Sequence, residues 1–185
     1  MKPVQDMTEA ELAAFVSEHL RKHGIRVVLC GGACVTIYGG NAYVSGDLDL
    51  VSETFASGRD VEEALGEIGF VRAARVFRHP CCSLAVDIRP PPLAVGQEPV
   101  REIEEMRLST GTLRLVSPTD CVKDRLAGYY YHGDRQCLEQ ARLVAAHSDR
   151  VDLAEVERWS RKEGQGGKFS AIKSLLQEPR APLAP

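Results

Sequence analysis

The stretch "CGGACVTIYGGNAYVSGDLDLV", residues 30–51, puts a glycine pair directly after an apolar run and later two aspartates one residue apart. Before it, "IRVVLC" reads as a buried strand. "ACVTIY" is short and apolar, a helix opened by Gly31 and Gly32 and closed by Gly39 and Gly40. "DLDLVSE" then alternates as a second strand. A strand repeats every two residues, so Asp47 and Asp49 leave one face while Leu48 and Leu50 point into the core.

Two carboxylates held that close repel unless a cation lies between them. Magnesium fits: it is hard, takes oxygen ligands, and is commonly held by one or two carboxylates together with substrate phosphates. Gly31 and Gly32 offer those phosphates a place, because missing side chains allow close approach and a helix start presents N–H donors and partial positive charge. A third acid, Asp87 in "SLAVDIR", lies in another predicted strand between Val86 and Ile88. Burial there is costly unless the carboxylate faces a cation or a cleft. The plainer alternative is that Asp87 ends its strand and pairs with Arg89 or Arg78.

Composition sets the outer limits. The chain has 185 residues, 44% hydrophobic and 26% charged, which suits one globular domain with a substantial core. A formal net charge of -3 with no long block of either sign requires neither a nucleic acid nor a membrane surface as partner. No stretch approaches the roughly 18 apolar residues of a membrane span, and "MKPVQDMTEAELAAF" lacks the layout of a signal peptide. The expectation is a cytoplasmic protein without a membrane partner. Cys30, Cys34, Cys81, Cys82, Cys121 and Cys137 form no CxxC pair and no zinc spacing with histidine, and read as reduced core residues.

Outward from the opening stretch, "TEAELAAFVSEHLRKHG" is a helix with a capping-box signature at Thr8 and Glu11. "GRDVEEALGEIGF" is a short helix ending at Gly69, and "VRAARVFR" and "CSLAVDIR" read as two strands turning at His79 and Pro80. "EEMRLSTGTLRLVS" suggests a further hairpin, for a sheet of about five or six strands. From Pro118 the texture becomes helical, with expected helices over 118–131, 134–147, 153–163 and 169–177. The parts are therefore an α/β core over 1–117, a helical part over 118–178, and a loose proline-rich tail over 179–185.

The glycine pair, the Asp-x-Asp strand and the later strand-borne acid resemble the nucleotidyltransferase superfamily of polymerase-beta-like fold. The layout from "GGACVTIYG" to "SGDLDL", followed by "SPTDCVKDRLAGYYYHGDRQCLEQARLV", is most similar to small bacterial nucleotidyltransferase-like proteins related to abortive-infection and toxin-antitoxin systems. The resemblance implies an α+β fold: a mixed β-sheet with flanking helices and a helical C-terminal part. It implies Mg2+ held by Asp47, Asp49 and Asp87, with Asp87 helping to deprotonate the attacking hydroxyl. A nucleoside triphosphate (NTP) would be cradled by Gly31 and Gly32 and touched by Ser45, with Lys123 or Arg125 neutralising phosphate. Two ions about 3.5–4 Å apart would stabilise attacking and leaving oxygens. The implied reaction transfers a nucleoside monophosphate to a protein, RNA or small-molecule hydroxyl. The alternative is a catalytically inactive binding module, an antitoxin-type partner. Tyr43 stands where many relatives carry a basic residue, and the gap from Gly32 to Asp47 is long for the family.

Other residues read more plainly. Lys123, Asp124 and Arg125 equally suit a solvated helix face capped at Thr119 or Asp120, and "YYYHGDRQ" suits a helix-helix corner broken at Gly133. His19, His23, His79 and His147 are expected in surface or turn roles. The basic residues Arg158, Arg161, Lys162, Lys168 and Lys173 alternate with acids and make no nucleic-acid arm.

Overall fold

The computed structural model describes residues 2–178. After a 3-10 turn at Val4–Asp6, Thr8 accepts from the Glu11 amide while the Glu11 carboxylate accepts from the Thr8 amide, and this capping box starts helix α1 (Glu9–Lys22). Leu12, Val16 and Leu20 on one face of α1 are fully buried. Strand β1 (Val27–Cys30) is buried along its whole length and runs straight into α2 (Gly31–Tyr38). There follow β2 (Asp47–Ser52), α3 (Gly58–Glu67), β3 (Val71–Ala73), β4 (Val76–Arg78), β5 (Ala85–Arg89), the two-residue strands β6 (Ala94–Val95) and β7 (Glu98–Pro99), β8 (Ile103–Leu108) and β9 (Gly111–Val116). Helices α4 (Pro118–His132), α5 (Arg135–His147), α6 (Leu153–Lys162) and α7 (Gly166–Gln177) complete the described chain.

Seven strands form one mixed sheet in the order β3-β4-β5-β2-β1-β9-β8, and β6 and β7 pair as a separate ribbon. β2 lies antiparallel to β1 and parallel to β5, and β1 runs parallel to β9. Register sets the faces: Leu29 pairs with Leu50 and Leu115, and Leu48 with Val86, so these apolar side chains share one side. Each buried leucine there stabilises the fold by about 1.5–3 kcal/mol relative to exposure. Cys30, Asp49 and Asp87 share the other side. One contiguous core joins α1 and α2 to residues of the later helices, among them Leu126, Val144, Trp159 and Phe169.

The α+β architecture with a helical C-terminal part is as expected, with differences in detail. "VRAARVFR" is two strands rather than one, because Ala74 takes a left-handed turn (φ 57°) and folds β3 back on β4. The main sheet has seven strands rather than five or six, and the separate β6–β7 ribbon was not expected. Helix α4 is capped not by Thr119 or Asp120 but two or three residues earlier, by Ser117, whose hydroxyl accepts from the Asp120 amide ahead of Pro118 at the first turn. α7 begins at Gly166 rather than Phe169. The helix-helix corner is present: Gly133 is left-handed (φ 67°) and Asp134 caps α5. Of the cysteines, Cys30, Cys34 and Cys121 are buried, but Cys81 is exposed in a turn and not in the core. The proline-rich tail over 179–185 lies outside the described residues.

Candidate functional site

The site grows from the junction of β1, α2 and β2. Parallel register places Asp49 opposite Asp87, and Asp47, two residues earlier on β2, points to the same side. Asp47 is exposed, whereas Asp49 and Asp87 are half-buried. Arg89, two residues beyond Asp87 and therefore on that side, ties both: its Nη2 donates to Asp49 Oδ1 at 2.8 Å, and its Nε lies 3.7 Å from Asp87 Oδ2. The three acids thus share one side of the sheet, with a guanidinium against two of them.

Electrostatics follow from this crowding. Burial raises the Asp49 carboxyl above its ordinary range, Arg89 opposes the rise, Asp47 and Asp87 add to it, and Arg125 opposes it from α4. The Cys30 thiol, donating to the Asp49 carbonyl at 3.6 Å, is pushed up to about 12 by burial and by the charge of Asp124. It is a neutral wall of the site at neutral pH.

The glycine pair has a geometric reason. Gly31 is left-handed (φ +70°), and a Cβ there would stand 2.1 Å from Asp49 Oδ2. At Gly32 a Cβ would stand 2.7 Å from Ser45 Oγ and 3.4 Å from the Tyr43 hydroxyl. The room that side chains would fill is taken by the Asp49 carboxylate and the Ser45 hydroxyl, both drawn against the start of α2.

Ser45 is buried, and its hydroxyl donates to Asp47 Oδ1 at 3.3 Å. Its amide donates to Glu9 Oε1 at 2.9 Å and to Thr36 Oγ1 at 3.3 Å. Glu9 is a fourth carboxylate beside Asp47. Burial raises its carboxyl above the usual range despite the hydrogen bonds from Thr36 and Ser45, the charge of Asp47 adds to this, and Glu9 Oε2 is buried without a partner. No sequence signal marked it, since an acid in the first turn of a helix is ordinary.

Lys123 is not brought to the acids. It is buried with its ammonium 3.1 Å from Asp120 Oδ1 and 2.7 Å from Glu155 Oε1, because its position on α4 faces α6. Arg125, the other cation expected near phosphate, pairs with Asp124 and donates to Gln140, and its charge does act on Asp49. The cation nearest the acids is Arg89, which sequence reading weighed only as a partner of Asp87. A crevice of about 130 Å³ beside Cys30, Arg89, Pro92 and Asp124 opens between the sheet and the β6–β7 ribbon.

The donor set suits a divalent cation. Asp47, Asp49 and Asp87 offer hard oxygens from one side of the sheet, and a positive side chain already stands against two of them. No protein-family model matches the chain, and comparison with curated proteins finds no match. Solved structures do align. A nucleotidyltransferase-like antigenic protein from Paracoccidioides brasiliensis superposes with a TM-score of 0.59 at 14% identity, covering 92% of this chain and 93% of its own. ANT(2'')-Ia, in complex with adenylyl-2''-tobramycin, superposes with a TM-score of 0.52 at 14% identity, covering 80% of this chain and 92% of its own. The fold is the nucleotidyltransferase-like α+β fold.

Proposed function

We propose that the protein is a magnesium-dependent nucleotidyltransferase that moves a nucleoside monophosphate from an NTP to an acceptor hydroxyl. The observation that carries this reading is the pairing of Asp49 with Asp87 across parallel strands, with Asp47 on the same side and the α2 start beneath. Asp47, Asp49 and Asp87 would hold Mg2+, which when bound screens the triphosphate and stabilises charge on the attacking and leaving oxygens. The acceptor oxygen forms a bond to the α-phosphorus, the bond from that phosphorus to the β-phosphate oxygen breaks, and pyrophosphate leaves. The hydroxyl proton passes to the Asp87 carboxylate. Ser45 holds Asp47 by its hydroxyl, and Glu9 fixes the Ser45 backbone, so the first acid is oriented from below. Backbone N–H groups at the start of α2 receive phosphate oxygens.

The acceptor class remains protein, RNA or small molecule. A small-molecule hydroxyl has one support: ANT(2'')-Ia, on the same fold, is seen with an adenylylated tobramycin. A second reading, a catalytically inactive binding module serving as an antitoxin-type partner, is favoured by Arg89, which already neutralises two of the acids, and by Tyr43 at a position basic in relatives.

Calorimetric titration of each NTP, with and without magnesium, into the wild type and an Asp47→Ala/Asp49→Ala variant tests the reading. Metal-dependent binding lost in the variant is expected, followed by pyrophosphate release once an acceptor is supplied. Absence of any NTP binding overturns the enzyme reading and leaves a fold kept for a protein partner. Binding with no pyrophosphate release across protein, RNA and small-molecule acceptors favours the second.

A further inference from the structure

His19 and His23 are four residues apart at the C-terminal end of α1, and Glu67 is the last residue of α3, which packs beside it. Residues four apart on a helix project from one face, so the two imidazoles lie together, with ring centroids 4.9 Å apart. Glu67 Oε2 lies 3.1 Å from His23 Nε2 and 3.5 Å from His19 Nε2, and one donor atom from each residue falls within 4.8 Å of the others. The Ala64 carbonyl is 2.8 Å from His19 Nε2. The expectation that these histidines are simple surface residues is therefore incomplete. The four-residue spacing was visible in the sequence, but the third donor comes from another helix.

We propose that His19, His23 and Glu67 form a zinc site, separate from the acid cluster, that clamps α1 to α3. Zinc bonds to nitrogen and oxygen are about 2.0–2.2 Å long, so two donors of a tetrahedral ion stand about 3.3 Å apart. The separations of 3.1 and 3.5 Å bracket that value. Two histidines and one glutamate are a recognised zinc set, and a water supplies the fourth position. Both contributing helices present their C-terminal ends here, where the backbone dipole favours a cation. The imidazoles bind as neutral ligands through Nε2, with their remaining protons on Nδ1. The site is half-buried to exposed and can accept an ion from solution without unfolding.

The test is titration of ZnCl2 into metal-stripped full-length protein carrying Asp47→Asn/Asp49→Asn, so that the acid cluster does not contribute and the outcome is independent of the nucleotidyltransferase reading. One zinc per chain is expected. His23→Ala and Glu67→Gln should each weaken affinity at least tenfold while leaving the far-ultraviolet circular dichroism unchanged, and His79→Ala should leave affinity unchanged. Cobalt substitution should give a spectrum with no thiolate-to-metal band. Failure to bind zinc overturns the proposal, as does binding that survives a His23→Ala/Glu67→Gln double change. A thiolate band would also overturn it by assigning the metal to cysteine.

Discussion

Asp49 and Asp87 are partners across two parallel strands, and the guanidinium of Arg89 reaches both, at 2.8 Å and 3.7 Å. A divalent ion and this guanidinium would compete for the same oxygens. Replacing Arg89 by methionine removes the competitor while keeping a side chain of similar reach. Magnesium binding in the absence of nucleotide should then tighten by roughly tenfold, the equivalent of one charge-assisted hydrogen bond of about 1.5 kcal/mol. Calorimetry with MgCl2 checks this. Unchanged affinity would show that Arg89 and the ion occupy different oxygens.

Gly31 and Gly66 make a contrasting pair for alanine substitution. At Gly31 the left-handed backbone costs about 1–2 kcal/mol for any side chain, and the new Cβ would collide with the Asp49 carboxylate. Gly31→Ala should lower the melting temperature and abolish metal-dependent NTP binding together. Gly66, exposed near the end of α3 with nothing within 4 Å of an added Cβ, should gain up to about 1 kcal/mol from the same change and keep NTP binding. Thermal melts alongside NTP titrations separate these outcomes. A Gly31→Ala protein that retains NTP binding would remove Asp49 from the metal site.

The centre of the site was legible because short-range rules govern it. Alternation put Asp47 and Asp49 on one face, and a glycine pair between strand and helix marked a close approach. What the sequence did not show depends on partners distant along the chain. The pairing of Asp87 with Asp49 needs the order of the strands, and Glu9 reaches Ser45 only because α1 crosses under the β2 entrance. Lys123 had a helix face in sequence but no assigned neighbour, and α6 supplied Glu155 as its partner. The β6–β7 ribbon escaped because two-residue strands have no period to detect. Arg89 reads in the sequence only as a pairing partner of Asp87, whereas its place two residues after Asp87 also puts it on the acidic face.

Lys123 acts on stability. Its ammonium is buried between Asp120 and Glu155, so Lys123→Met leaves two carboxylates facing each other without a cation. Breaking a buried pair in this way costs about 3 kcal/mol, at roughly 2–4 °C of melting temperature per kcal/mol for a chain of this size. NTP affinity measured well below the melting point should be unchanged. A selective loss of NTP binding in a protein of normal stability would instead return Lys123 to the phosphate-binding role.

Acid should weaken the same region. Hydrogen bonds from Arg158 and Lys162 lower the Glu98 carboxyl from 4.5 to about 2, and a hydrogen bond from Arg158, joined by one from Lys123, lowers Glu155 to about 2. A carboxyl depressed in the folded state adds stability above its unfolded value, and that contribution is lost as pH falls through the folded value. Stability should therefore drop progressively from about pH 4.5 toward pH 2 on account of these two groups. Because Arg158 is about half exposed, added salt should flatten the dependence. Urea melts across that window should show a shallower slope for Glu98→Gln/Glu155→Gln than for wild type. An identical slope would assign the acid sensitivity to other groups.

The division into 1–117 and 118–178 is a change of texture, and we expect the two parts to unfold together. The chain's one tryptophan, Trp159, reports on the later part: it is fully buried, donates from Nε1 to the Val95 carbonyl at 3.2 Å, and stacks on Tyr130 at 5.9 Å between centroids. Val95 belongs to the β6–β7 ribbon of the earlier part, so the indole bridges the proposed boundary. The core is likewise continuous from Leu12 in α1 to Leu176 in α7. Denaturation followed by Trp159 fluorescence and by circular dichroism should give coincident midpoints. Leu126→Ala, at a fully buried position in α4, should lower both by the same amount, at a cost of about 2–5 kcal/mol. A Trp159 transition at lower denaturant than the dichroism change would make residues 118–178 a separate cooperative unit, and Leu126→Ala would then shift that transition alone.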